Sequence, residues 1–239
     1  MAFLLNQIIE DSAAHCGDNI ALVHRHASLS YRELNDLTTG LAAGLRGLDP
    51  GDNARIAVYL PKQFETVIAI FGAMAAGLAA LPINPMLKAA QVGHVLRDSG
   101  AEILVTSRDR AAYLAETLPD CPELKHLVIV GPSPGADERF APVPAVHSWD
   151  DIVATSSHQP VPSRVGSDMA AILYTSGSTG RAKGVVLSHD NLLAGARSVA
   201  TYLKNSQADR LLAVLPLSFD YGLSQLTTAF LVGASVTLM

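Results

Sequence analysis

Residues 168–192, DMAAILYTSGSTGRAKGVVLSHDNL, set an apolar stretch, a loop of small hydroxyl residues and glycines, and a second apolar stretch in direct succession. Residues 169–174 read as a buried strand and residues 185–187 as a second β-like run, so a sheet must carry the loop between them. Thr175, Ser176, Ser178 and Thr179 supply hydroxyl donors. Gly177, Gly180 and Gly184 permit tight backbone turns that aim N–H groups at an anion, and Lys183 adds a mobile point charge. A plain polar turn between two strands is the simpler alternative, but it needs far fewer special residues. Four hydroxyls, three glycines and a lysine within ten positions point to a phosphate cradle.

Two familiar phosphate loops fail against this pattern. A Walker A loop places its lysine before Ser or Thr and runs at once into a helix, whereas Lys183 is followed by Gly184 and a β-like run. A dinucleotide fingerprint needs G-x-G-x-x-G opening a helix, and only Gly177 and Gly180 precede the return to strand.

Elsewhere helices and strands alternate. Residues 4–14 read as a helix, and Ser30 with Glu33 forms a capping box opening a second, whose Leu34, Leu37, Leu41, Leu45 and Leu48 recur at helical spacing. Residues 49–52 form a turn, 55–60 a strand, 62–77 and 87–99 helices, and 102–106 and 127–130 short buried strands. Beyond the loop, Ser188 or Asp190 caps a helix to about Leu203, followed by strand (209–215), helix (223–232) and strand (235–238). This alternation predicts an α/β fold of parallel or mixed sheets flanked by helices. Residues 66–87 carry no charge, but six alanines, Gly72, Gly77 and Pro82 split them into a helix and a short strand rather than a membrane span. Eight of the 13 prolines fall between Pro119 and Pro162, so residues 131–146 are expected as surface connection, with Ser148 and Asp151 capping a short helix after it. The expected organisation is an N-terminal α/β segment (1–130), a Pro-rich connection (131–167) and a loop-bearing α/β segment (168–239).

Composition narrows the partners. With 239 residues and 49% hydrophobic content the chain can bury a large core, and a net charge of −5 argues against nucleic acid as its main partner. Cys16 and Cys121 make neither a disulfide framework nor a metal-ligand spacing, and the N-terminus lacks a basic segment before Glu10 and Asp11, so a cytoplasmic location is expected. His24, His26 and His94 have no partners at metal spacing, and His189, beside a helix start, is expected to pack or hydrogen-bond rather than react.

The loop YTSGSTGRAKG (residues 174–184) resembles the signature loop of the adenylate-forming superfamily: acyl-CoA synthetases, firefly-type luciferases and the adenylation domains of nonribosomal peptide synthetases. LSYRELN (29–35) is similar to that family's first core motif, FGAMAAGLAALPINP (71–85) to its second, and LPLSFDYGLSQ (215–225) to the segment that begins its acyl pocket. The family usually has proline before the loop lysine, where this chain has Ala182. The resemblance implies the N-terminal domain of an adenylate-forming enzyme. It also implies ATP with Mg²⁺, a carboxylic acid that attacks the α-phosphate to give an acyl-adenylate and pyrophosphate, and a thiol acceptor on CoA or a carrier-protein phosphopantetheine arm. Carried onto this chain, it gives Thr175, Ser176, Gly177, Ser178, Thr179, Gly180 and Lys183 as the nucleotide-binding residues. Lys183 and Thr179 would act in catalysis, and Phe219, Asp220, Tyr221 and Gly222 would line the substrate pocket. The family's adenine, ribose and metal-binding motifs are absent, so a truncated, inactive N-terminal portion is expected.

Asp220 is the sole charged residue from Leu211 to Met239, and a carboxylate in so apolar a setting is expected to find a donor or be protonated. An N-cap for the following helix is one solution. The resemblance offers another, since in amino-acid-adenylating relatives the Phe-Asp pair sets Asp against the substrate's amino group. The activated acid is therefore a fatty or aryl acid or an amino acid, and Asp220→Asn separates the two. A non-catalytic binding module and a phosphate-binding enzyme of another type, such as a kinase, are the alternatives from other classes.

Overall fold

The computed structural model describes residues 3–132, 143, 145–155, 160–175 and 181–239. Helix α1 (Gln7–Cys16) leads into a hairpin of β1 (Ile20–His24) and β2 (Ala27–Ser30), and then into α2 (Tyr31–Gly47). At the start of α2 the Ser30 hydroxyl accepts from the Glu33 N–H at 3.2 Å, while the Glu33 carboxylate accepts from the Ser30 N–H at 2.8 Å. This is the expected capping box, and its serine alone contributes about 0.5–2 kcal/mol. Leu34, Leu41 and Leu45 are fully buried along the inner face, with Leu37 and Leu48 packed at its margin. The hairpin is a departure from the sequence reading. Its turn places Arg25 at a φ of 57°, a left-handed conformation without the Gly or Asn that normally signals one.

The chain continues through β3 (Arg55–Tyr59), α3 (Phe64–Ala75), β4 (Ala79–Pro82), α4 (Ala89–Ser99), β5 (Ile103–Ser107), α5 (Arg108–Tyr113) and β6 (His126–Val130). The uncharged stretch 66–87 divides as expected into α3, a turn at Gly77 and β4, and no described helix is long and apolar enough to cross a membrane. Next come β7 (Ala145–Ser148), α6 (Trp149–Ala154), β8 (Met169–Thr175), β9 (Lys183–Ser188), α7 (His189–Leu203), β10 (Arg210–Ala213), α8 (Asp220–Val232) and β11 (Ser235–Leu238). Two expectations are corrected here. Ala145 and Val146, read as surface connection, enter β7, where Val146 pairs with Leu127 of β6. Ser148 takes the N-cap position of α6 as expected, though without a side-chain hydrogen bond, whereas Asp151 lies inside the first turn and does not cap it.

Among the described residues the strands form two sheets, β10-β11-β1-β2 and β7-β6-β5-β3-β4-β8-β9. All neighbours are parallel except β1 with β2 and β8 with β9. This is the mixed, largely parallel α/β architecture expected. Strands of segments 1–130 and 168–239 share both sheets, since β1 pairs with β11 and β4 with β8.

The larger sheet is covered on both faces. Along β3, Ile56 and Val58 join one apolar cluster with α1, α2, α3 and α8, whereas Ala57 and Tyr59 join another with Val92, Val95 and Leu96 of α4. Continuous apolar strands result, as a sheet buried on both sides requires. In the first cluster Phe230 meets Phe71 and Tyr31 edge-on, with ring centroids 5.4 and 6.0 Å apart. Each such pair contributes about 0.5–1.5 kcal/mol beyond its buried area.

Candidate functional site

The loop stems are antiparallel strands in fixed register. Thr175, last in β8, lies opposite Lys183, first in β9, and Tyr174 lies opposite Gly184. Both Thr175 and Lys183 are exposed, and no hydrogen bond or ion pair among the described residues engages the Lys183 ammonium. Ser176, Gly177, Ser178, Thr179 and Gly180 lie outside the described residues.

Gly184 owes its identity to a close approach. A Cβ there would stand 3.1 Å from the Tyr174 ring and 2.8 Å from an Ile172 methyl, so only glycine lets that ring lie across the neighbouring strand. The Tyr174 hydroxyl donates to Asp98 Oδ2 at 2.6 Å. Burial, reinforced by the Asp98 carboxylate, pushes the phenol's pKa well above its ordinary value. Four residues earlier on α4, His94 Nε2 donates to the Ala182 carbonyl at 3.0 Å.

Beside the stems a cavity of about 360 Å³ opens between β8, β9, α7 and α8. Thr175 stands on its rim, Val185 and Leu187 form one wall, and Phe219, Asp220 and Tyr221 form another. Its lining is mostly apolar, with Asn191, Ser218, Ser224 and Thr227 as added polar groups. A space of this size and character fits a small organic acid better than a bare anion.

Asp220 does not cap α8. Phe219 takes the extended N-cap position (φ −108°, ψ 149°), which leaves Asp220 as the first helical residue with its carboxylate on the cavity wall. An acidic group there complements the positive end of the helix dipole. Gly222 is buried rather than cavity-lining: a Cβ on it would lie 1.9 Å from the Pro216 carbonyl oxygen, so the glycine lets α8 press against residues 215–216. The segment carrying Phe219–Tyr221 is thereby held in place.

His189 is a packing residue. Its buried ring accepts the Leu5 N–H at Nδ1 (3.0 Å), and burial lowers its pKa. Among the described residues no cluster of three or more His, Cys, Asp or Glu side chains is placed to hold a metal ion. Cys16 and Cys121 are free thiols.

The sequence reading missed the α7 wall of the cavity, formed by Leu192, Gly195, Ala196 and Val199. Their i, i+3, i+4, i+7 spacing marks one helical face, but nothing local distinguishes a cavity wall from core. It also missed a second cavity of about 310 Å³ on the far side of Ser218, at the carboxyl ends of β3 and β4, lined in part by Lys62 and Arg110.

Comparison with known proteins agrees with this architecture. A family model described as AMP-binding enzyme matches residues 9–239. Surfactin synthase subunit 1 of Bacillus subtilis is 29% identical over 233 residues, covering 98% of this chain and 6% of that protein. The anthranilate CoA ligase AuaEII, solved with anthranoyl-AMP, superposes with a TM-score of 0.89 at 22% identity, covering 100% of this chain and 46% of that one. A putative long-chain-fatty-acid CoA ligase from Rhodopseudomonas palustris gives 0.86 at 25% identity, covering 99% and 57%. The chain thus spans about half the length of these solved neighbours and a small part of the synthase. With its signature-type hairpin, its apolar cavity and a family match over nearly its whole length, the chain belongs to the AMP-binding enzyme family.

Proposed function

We propose that this chain supplies the triphosphate- and acid-binding part of an ATP-dependent ligase that activates a carboxylic acid as its acyl-adenylate. The observation that carries this reading is the cavity, which reaches from Thr175, at the foot of the loop, to Phe219 and Tyr221, more than 40 residues later in the chain. In this account the hydroxyls and amides of Thr175, Ser176, Gly177, Ser178, Thr179 and Gly180 hold the β- and γ-phosphates. Lys183 offsets their charge. The acid lies between Phe219, Tyr221 and the α7 wall, with its carboxylate toward Thr175. A carboxylate oxygen attacks the α-phosphorus, the bond to the β-phosphate bridging oxygen breaks, and its electron pair leaves on pyrophosphate. No protein nucleophile is required; the chain positions the reactants, stabilises charge and keeps water from the mixed anhydride. Mg²⁺ bound to ATP would supply counter-charge to its phosphates.

In the second half-reaction a thiol of CoA or of a carrier-protein phosphopantetheine arm attacks the acyl carbon and displaces AMP. We place the protein in a cytoplasmic setting, in which its two unpaired cysteines would stay reduced.

Crystals soaked with non-hydrolysable acyl-adenylate analogues test the reading. Acyl density between Phe219, Tyr221 and Ala196 is expected; density outside the cavity contradicts it.

One observation favours an amino acid as the acid. The Asp220 carboxylate lines the cavity with no hydrogen bond or ion pair among the described residues, which suits it to a substrate ammonium. Under this reading Asp220→Asn weakens binding of amine-bearing acids selectively and leaves amine-free acids unaffected.

A further inference from the structure

The helix α4 touches the loop-bearing hairpin through two side chains one turn apart, and each contact falls next to a proposed phosphate-binding residue. Asp98 accepts the hydroxyl of Tyr174, the neighbour of Thr175; His94 donates to the carbonyl of Ala182, the neighbour of Lys183. The His94 and Tyr174 rings also meet edge-on, with centroids 6.5 Å apart. A helix holds residues i and i+4 on one face, so a single rigid element grips both arms of the hairpin at one level.

Packing alone does not account for this arrangement. Val92, Val95 and Leu96 already bury α4 against the sheet, while Asp98 is exposed and His94 only half-buried. Two polar side chains on that margin gain nothing for the core. What they fix is the height and separation of the residues beside Thr175 and Lys183. The tyrosine ring also lies against Gly184, close enough that a Cβ there would stand 3.1 Å from it.

Ala182 makes the second contact more consequential. Proline would lock φ at this position, whereas alanine leaves the backbone freer. Here the carbonyl of that same residue is tied to His94. The hydrogen bond restrains from outside a corner that a proline ring would restrain from within.

We infer that His94 and Asp98 are positioning residues for the phosphate site, acting through Ala182 and Tyr174 to set the spacing of Lys183 and Thr175. This rests on the phosphate-binding reading of the loop given above.

The test is calorimetric titration of the 239-residue chain with inorganic tripolyphosphate, together with amide chemical shifts of Thr175 and Lys183 in the unliganded protein. Tyr174→Phe and His94→Leu are each expected to weaken tripolyphosphate binding roughly five- to twenty-fold, the worth of one lost hydrogen bond, and to shift both amides while Tm stays close to the parent value. Asp98→Asn, which keeps an acceptor, should bind more tightly than Asp98→Ala, and Ala182→Pro should recover binding in the His94→Leu background. A purely structural contact would not be rescued by a backbone restraint at residue 182. If the variants bind as the parent does, or the amides do not move, the positioning role is wrong and the phosphate reading stands. If the unsubstituted chain binds no tripolyphosphate, the phosphate reading fails and the positioning role falls with it.

Discussion

The hydroxyl of Tyr31, the first residue of α2, donates to the carbonyl oxygen of Ala234, two hundred residues later, at 2.5 Å, and both residues are fully buried. The bond ties the start of the chain to the turn between α8 and β11, next to the pairing of β1 with β11. Burial raises the phenol's pKa far above its ordinary value, so the group stays a donor across the working range.

Tyr31→Phe keeps the edge-on contact with Phe230 but strands the Ala234 carbonyl without its partner. A buried group so orphaned costs about 1–3 kcal/mol. Urea denaturation should show a lower midpoint at unchanged slope, with the cavity intact by ligand titration.

Two glycines separate packing from pocket. Gly222→Ala drives a methyl into the Pro216 carbonyl, which as backbone cannot yield, so the protein should lose about 1–3 kcal/mol or more and bind acyl-adenylate analogues poorly. Gly195→Ala meets nothing within 4 Å and lies inside α7 on the cavity wall. It should gain about 0.5–1 kcal/mol from helix propensity while shifting preference toward smaller acids. Paired thermal melts and acid titrations read both outcomes.

Acid should destabilise the protein partly through His189. Its ring is held neutral by burial, with Asp168 and Asp190 partly opposing the effect, so its folded pKa lies below the ordinary 6.5. The unfolded chain therefore binds more protons, and stability falls as pH drops through about 6.5 until the folded value is passed, by at most about 1.4 kcal/mol per pH unit. His189→Asn keeps an acceptor for the Leu5 N–H and does not titrate, so its stability should fall less between pH 7 and 5. His126 and His147, also lowered by burial, continue to contribute in the variant.

What could be read from sequence was local. Ser30 with Glu33 announced α2, and Ser188 announced α7, because a cap and its helix lie within four residues. The division of residues 66–87 into helix and strand was equally legible, since glycine, proline and length decide it. The β1–β2 hairpin was not, because Arg25 adopts a left-handed conformation that its side chain does not advertise. Asp220 was misplaced by one residue as a cap because the extended conformation falls on Phe219, which lacks a capping side chain. The grip of His94 and Asp98 on the loop stems depends on α4 crossing beside β8 and β9, a tertiary fact with no signature in residues 89–99.

The most direct test of the account is the affinity of the chain for ATP with and without the Lys183 ammonium, measured by calorimetry at two salt concentrations. If the β8–β9 hairpin holds the triphosphate, Lys183→Ala should weaken binding about tenfold or more and flatten its salt dependence. Equal affinity and equal salt dependence in the two proteins would contradict it.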